Sequence, residues 1–294
     1  MAPLLIADVP WLLYRSFFAL PKSIRGRDER AVNALLGTVN SLLAAVEAQP
    51  SRAVVGCFGA EQARYRVELY PAYHAHRDPM PDELAAQWRE APRLLERFGW
   101  TVLDAGELEA DDAMGALAQA ERREGGQALL MTGDRDLYQA VERDVAIVEL
   151  GRQGSISKIG PEQVRERCGV KPAQVPDLIA LRGDPSDGLP GAPGVGAKTA
   201  AALLCEHGSL ERALRAAEHA KGAGSGMTPR VAACLREHAQ LLLTFKHIAT
   251  LQPIDVERPP DQPTDFRAGA QAARGLGMKR LAERLERLAA TART

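Results

Sequence analysis

The chain has 294 residues, enough for one large domain or two smaller ones, and 46% are apolar, which supplies a sizeable core and excludes a disordered chain. Its 37 Lys+Arg against 38 Asp+Glu give a net charge of −1, which excludes a globally basic nucleic-acid coat but not local segregation of charge. Four widely spaced cysteines without a CxxC exclude a zinc finger or disulfide frame, and no leader or membrane-length apolar run is read, so a cytoplasmic chain with no membrane partner is expected.

Short apolar runs alternate with longer amphipathic stretches, which predicts an α/β chain with a mainly parallel sheet. Strands are predicted at Pro3–Ala7, Ala53–Phe58, Trp100–Asp104, Gln127–Thr132 and Val145–Leu150, with helices near 31–48, 82–98, 111–124 and 135–142. Ligands of such sheets bind beyond the carboxyl ends of the strands. Those ends carry acid: Asp8 after the first strand, Asp104 to Asp112 after the third, Asp134 and Asp136 after the fourth. From about residue 161 the pattern turns helical. A Gly/Pro-dense stretch covers Gly183–Thr199, a Gly/Ser turn lies at Gly222–Gly226, and a Pro-rich connector at Pro259–Pro263 leads to an amphipathic helix near Met278–Leu288. The expected division is an α/β domain at 1–160, a helical domain at 161–258, and a helical tail at 259–294 packing back on the first.

Three acidic clusters stand out: Glu107 to Asp112 with four carboxylates, Asp134 with Asp136, and Asp184 with Asp187. Taken singly, each reads as a helix N-cap or a solvated acidic turn. Converging at one sheet edge, they would repel and raise one another's pKa unless cations neutralise them. Hard ions such as Mg²⁺ or Mn²⁺ suit oxygen donors and keep several waters, and a pair of them serves phosphodiester hydrolysis. No Walker loop and no Ser/His elbow compete with that reading.

Basic residues are segregated as well. Residues 14–77 hold nine bases and five acids, a local +4, and residues 194–250 hold seven and four, a local +3. In the first stretch Arg64, Arg66, Tyr73, His74 and Arg77 interleave cations with aromatics, as single-stranded nucleic acid favours; a solvated face with tyrosines over a core edge is the alternative. In the second, Gly194, Gly196, Lys198 and Thr199 open a helix whose amides can meet a phosphate without reading bases.

These residues together resemble the 5′–3′ exonuclease and flap endonuclease family, in the form of the 5′-nuclease domain of bacterial DNA polymerase I. The matching pieces run in order: Leu12 to Leu20, Glu68 to Tyr73, Glu109-Ala-Asp-Asp112, Thr132-Gly-Asp-Arg-Asp136, and Gly183 to Asp187 with its Pro-Gly-Val-Gly-x-Lys-Thr continuation. The resemblance implies a PIN-like nuclease domain, a helix–three-turn–helix DNA clamp, two Mg²⁺ or Mn²⁺ ions, and a potassium ion in the DNA-binding hairpin. By motif match, Asp8, Glu109 and Asp111 serve the first metal. Asp112, shared or adjacent, joins Asp134, Asp136, Asp184 and Asp187 at the second. Arg15 and Arg77 steady phosphates, and Tyr73 stacks on a frayed base. The implied partners are DNA with 5′ flaps or 5′ ends and, as separate chains, a polymerase and a ligase; a monomer is expected. Four positions depart from the family pattern. Asp8-Val-Pro10 replaces Asp-Gly-Asn, Gly59 replaces a first-metal Asp, His74 replaces a Lys, and Gly188 replaces an Asn. Glu61 is the nearest acid that could stand in for position 59. The alternative function is a catalytically impaired branched-DNA-binding protein, rescued by Gly59→Asp; a PIN-type ribonuclease is a third.

Overall fold

The computed structural model describes residues 2–151, 155–219 and 226–291. The chain opens with β1 (Leu4–Asp8) and α1 (Val9–Ala19), then α2 (Asn33–Ala48), β2 (Ala53–Phe58), the short α3 (Arg64–Leu69) and α4 (Asp82–Glu96). It continues through β3 (Thr101–Asp104), α5 (Ala110–Arg123), β4 (Ala128–Met131), β5 (Val145–Leu150) and β6 (Ile156–Ile159). The helical half holds α6 (Pro161–Cys168), α7 (Val175–Arg182), α8 (Ala197–His207), α9 (Leu210–His219), α10 (Pro229–Ala249), α11 (Phe266–Gly275) and α12 (Lys279–Thr291).

The strands lie in the order β3-β2-β1-β4-β5-β6, all parallel except β6, which runs antiparallel to β5. All five residues of β1 and all six of β2 are buried, as strands covered by helices on both faces must be. The period of two sends Leu4 and Ile6 into one core, shared with α5, α7 and α10. Leu5 and Ala7 enter the other, shared with α1, α2, α4, α11 and α12. Beside β1 the chain proceeds to β2 on one side and to β4 on the other. This reversal opens a crevice at the carboxyl ends of the two central strands, and Asp8 sits in it.

Three features differ from the expectations. The Ile156–Ile159 strand was not predicted: it is short, and its exposed Ser157 and Lys158 suit an edge strand rather than an apolar run. The helix expected at 135–142 is a short 3-10 turn at Asp136–Ala140. The interleaved segment after β2 contains the helical turn α3. The Gly/Ser turn at Gly222–Gly226 falls almost wholly outside the described residues. The Pro-rich connector is pinned to the sheet: Arg52 Nη1 donates to Pro259 O and to Asp261 Oδ1, each at 2.8 Å. The fully buried Glu121 pairs with both Arg52 and Arg258. Beyond it, α12 packs on the nearer helices, and Arg284 pairs with Glu47 of α2 at 2.9 Å. Among the described residues no helix is long and apolar enough to cross a membrane.

Candidate active site

Asp8 ends the central strand and caps α1, accepting from Trp11 N–H at 2.9 Å and from the Thr132 hydroxyl at 2.8 Å. Thr132 follows β4, and its oxygen also accepts the Asp134 N–H at 3.0 Å. One hydroxyl thereby fixes the acid after β1 against the turn after β4. The Asp136 N–H closes that turn on Asp134 Oδ1 at 2.8 Å. Among the described residues, nothing donates to or pairs with the carboxylates of Asp111, in the first turn of α5, and Asp136.

Asp8, Glu109, Asp111, Asp134, Asp136 and Asp187 all line one cavity of about 1040 Å³, together with Arg66, Tyr73, His74 and Arg77. Burial, opposed by the bonds from Trp11 and Thr132 and reinforced by Asp134, leaves Asp8 pushed up to about 6. Asp134 is likewise pushed up to about 6, by burial first and by Asp187 and Asp184. Asp111 and Asp136 are carried well above the usual carboxylate range by burial and then by their acidic neighbours, Asp134 foremost. Buried carboxylates that repel in this way and lack a counter-cation are costly unless a cation joins them. The all-oxygen donor set fits Mg²⁺ or Mn²⁺. Among the described residues no three such side chains are drawn tightly enough together to enclose an ion alone, so water would complete the coordination, as these ions permit.

Several predicted site residues are placed otherwise. Asp112 is fully buried and faces away from the cavity. Its carboxylate pairs with Arg66 at 2.9 Å, accepts the Gln252 N–H at 2.7 Å, and closes a capping box with Glu109. It therefore latches α5 to α3 and to the chain after α10, rather than joining the second-metal set. Arg66, expected to face DNA, is 4% exposed and spent on Glu109 and Asp112, each at 2.9 Å, and on Ile248 O. Burial pulls its basicity down, but the two carboxylates outweigh burial and hold it charged. Tyr73 is buried too, its hydroxyl on Glu109 at 3.1 Å and its ring stacked on His74, so it offers no open stacking face.

His74 is 2% exposed and meets Asp187 twice, through Nε2 at 2.9 Å and through its N–H to Asp187 O at 3.1 Å. It adopts a left-handed φ of 55°, which costs roughly 1–2 kcal/mol that these contacts offset. Gly188, also left-handed, admits the approach: a Cβ there would lie 2.7 Å from Ala72 O. Asp184 lies outside the cavity lining and closes its own turn, accepting from the Ser186 N–H and hydroxyl. Arg77, half exposed, reaches Asp187 at 3.4 Å. Arg15 is exposed and lies over the Trp11 ring at 5.6 Å. Arg64 is exposed and pairs with Glu68. Gly194, Gly196 and Lys198 are exposed at the start of α8, with Thr199 half-buried, away from the cavity.

Position 59 is closed. A Cβ on Gly59 would lie 2.4 Å from Leu108 O and 2.7 Å from Glu109 C, and the Ala60 N–H holds the same Leu108 carbonyl at 2.8 Å. Glu61 does not replace the missing acid; it accepts from the Tyr14 hydroxyl at 2.7 Å on the outer wall of the cavity. That wall went unread in the sequence. Trp11, Tyr14 and Phe18 follow Asp8 at helical spacing and line the cavity with Trp88 of α4, which Tyr14 meets edge-on, while Tyr14 and Phe18 stack at 6.3 Å. The three- and four-residue spacing after Asp8 was the available signal.

A family model described as "5'-3' exonuclease, N-terminal resolvase-like domain" matches residues 3–169, and its companion, the "C-terminal SAM fold", matches residues 170–268. A 5'-3' exonuclease of Mycobacterium tuberculosis is 36% identical over 283 residues, 89% of this chain and 88% of that protein. The chain belongs to the 5′–3′ exonuclease family. Among its relatives, the thermostable DNA polymerase I of Thermus thermophilus is 38% identical over 262 residues, 88% of this chain but only 30% of that protein's length. The D15 flap endonuclease of bacteriophage T5, solved as a pseudo-enzyme-product complex with DNA and metal ions, shares the fold with a TM-score of 0.66 at 17% identity, covering 98% of this chain and 99% of its own. Within the family's two-part layout, Asp8, Glu109, Asp111, Asp134 and Asp136 belong to the resolvase-like part. The helical part supplies Asp187 and the Gly194–Thr199 turn.

Proposed function

We propose that the protein is a structure-dependent 5′–3′ exonuclease and flap endonuclease that hydrolyses DNA phosphodiester bonds with Mg²⁺ or Mn²⁺ in replication and repair, alongside polymerase and ligase activities. The observation that carries this reading is the set Asp8, Asp111, Asp134 and Asp136, gathered at the reversal point of the sheet with no ion pair to any of them among the described residues. The resemblance implies two divalent ions; such an ion lowers the pKa of a water and stabilises charge on the phosphate.

The chain's own groups supply positioning. Thr132 and Trp11 N–H orient Asp8, and the Asp136 N–H orients Asp134. Arg77 at the cavity and Arg15 beside Trp11 offer guanidinium forks to phosphate oxygens. The first turn of α8, with Lys198 and the exposed Gly194 and Gly196, suits the backbone of the adjoining duplex, with potassium there as the resemblance implies. The aromatic wall of Tyr14, Phe18 and Trp88 suits a base freed from its pair.

A 5′-flap substrate tests the reading. Short 5′ products should appear with Mg²⁺ or Mn²⁺ and vanish on chelation or with Asp134→Ala. The closed position at Gly59 favours the second reading, a branched-DNA-binding protein of impaired turnover. Flap binding without cleavage at every metal concentration would establish that one instead.

A further inference from the structure

Two sides of the acidic cluster differ in what already neutralises them. On the side of β2 and α3, Glu109 accepts the Ala63 N–H at 2.8 Å and the Tyr73 hydroxyl at 3.1 Å, and pairs with Arg66 at 2.9 Å. A carboxylate has about four acceptor positions, so Glu109 is nearly filled, and one of its donors is a permanent cation. The acid expected at position 59 is absent, and the Leu108–Ala110 backbone occupies the space its side chain would need. Asp187, which borders Asp134 and Asp136, meets His74 and Arg77 through Oδ1. On the side of β1 and β4 the balance reverses. Among the described residues Asp111 and Asp136 accept nothing, while Asp8 and Asp134 keep lone pairs beyond those used by Trp11, Thr132 and Asp136 N–H.

We infer that this chain binds one divalent ion tightly, on Asp8, Asp111, Asp134 and Asp136, and that Arg66 with the closed turn at Gly59 takes the place of the other ion that the family resemblance implies. The inference rests on the metal-dependent nuclease reading and specifies its metal requirement. A cation approaching Glu109 meets the Arg66 guanidinium at short range in a half-buried setting, where like charges repel strongly. A cation approaching Asp111 and Asp136 meets carboxylates that form no ion pair among the described residues, with Arg182 and Arg77 only at longer range. Of the two sides, the second has the more carboxylate oxygens left to hold an ion.

Titration of the metal-free protein with Mn²⁺, following free Mn²⁺ by electron paramagnetic resonance, tests this. One Mn²⁺ per chain is expected in the tight phase, with any second at least about 100-fold weaker because a fixed cation faces it. Asp111→Asn and Asp136→Asn should each weaken the tight ion at least tenfold, while Glu109→Gln should keep the tight stoichiometry at one. Gly59→Asp should not create a second tight site. Circular dichroism of every variant checks folding, and the two Asn variants stand in for each other if one fails to fold. Two ions of comparable affinity, or a tight ion lost in Glu109→Gln and kept in Asp136→Asn, would overturn the inference while leaving the nuclease reading intact. Absence of both Mn²⁺ uptake and flap cleavage would overturn both. One tight ion without cleavage would uphold the one-ion site and remove the nuclease reading.

Discussion

Gly59 shows how a single position can mislead when read as a missing ligand. From the sequence, restoring an acid there looked like a rescue. In the folded chain the Cβ of any residue at 59 would press on Leu108 O at 2.4 Å and on Glu109 C at 2.7 Å. Both contacts are backbone, so the neighbour cannot swing aside as a side chain would. Gly59→Asp is therefore expected to destabilise by about 1–3 kcal/mol, the usual range for overpacking, with no gain in flap cleavage. Gly59→Ala should lose a similar amount in a denaturant melt, because the clash belongs to the Cβ and not to the charge. A carboxylate variant that melts like the wild type and cleaves faster would show that the 108–110 turn yields. Asp111 makes the opposite case. Its carboxylate has acids around it and no donor among the described residues, so Asp111→Asn removes repulsion from the metal-free protein. A higher thermal midpoint without metal, together with loss of cleavage, is the expected pair of results.

At the scale of elements, Arg66 holds together pieces that are distant in sequence. It lies in α3, pairs with Glu109 and Asp112 at the start of α5, and donates to Ile248 O near the end of α10. Replacing it by Met leaves Asp112 buried without its cation, an error that typically costs about 3–5 kcal/mol. The loss should appear as a lower unfolding midpoint. Arg64, two residues earlier and exposed with Glu68, should leave that midpoint unchanged on substitution by Ala.

The contrast explains what the sequence could and could not disclose. Strand positions and the acids at their ends were legible because burial on both faces writes continuous apolar runs such as Leu4–Ala7 and Ala53–Phe58. Whether a base in Arg64-Tyr-Arg66 faces water or acid was not legible. That depends on α3 forming against the Glu109–Asp112 turn, a contact forty-odd residues away. The same holds for Asp112, whose neighbour Asp111 differs by one step around a helix and so faces another direction. Adjacent acids that look equivalent in a motif are separated by the helix into a carboxylate on the cavity and a buried latch.

For the whole molecule, the net charge of −1 is a sum over regions that do different things. Acid is concentrated in one cavity at the reversal of the sheet, while exposed bases such as Arg15, Arg77 and Lys198 lie around it and on the helical half. A duplex with a 5′ flap would meet the bases first and bring its phosphates toward the acids, which repel them until a divalent ion intervenes. Affinity and turnover should therefore respond to different ions. Without divalent metal, binding of a flap duplex should weaken as monovalent salt rises, since each neutralised phosphate releases counterions. Lys198→Ala should lower the affinity and reduce the slope of log affinity against log salt by about one. Because Lys198 is exposed at the start of α8, away from the cavity, the same variant should leave the tight Mn²⁺ unchanged. A salt slope unaltered by Lys198→Ala would place the duplex on another face, and the surface of the α8 turn would then need another explanation for its exposed glycines and lysine.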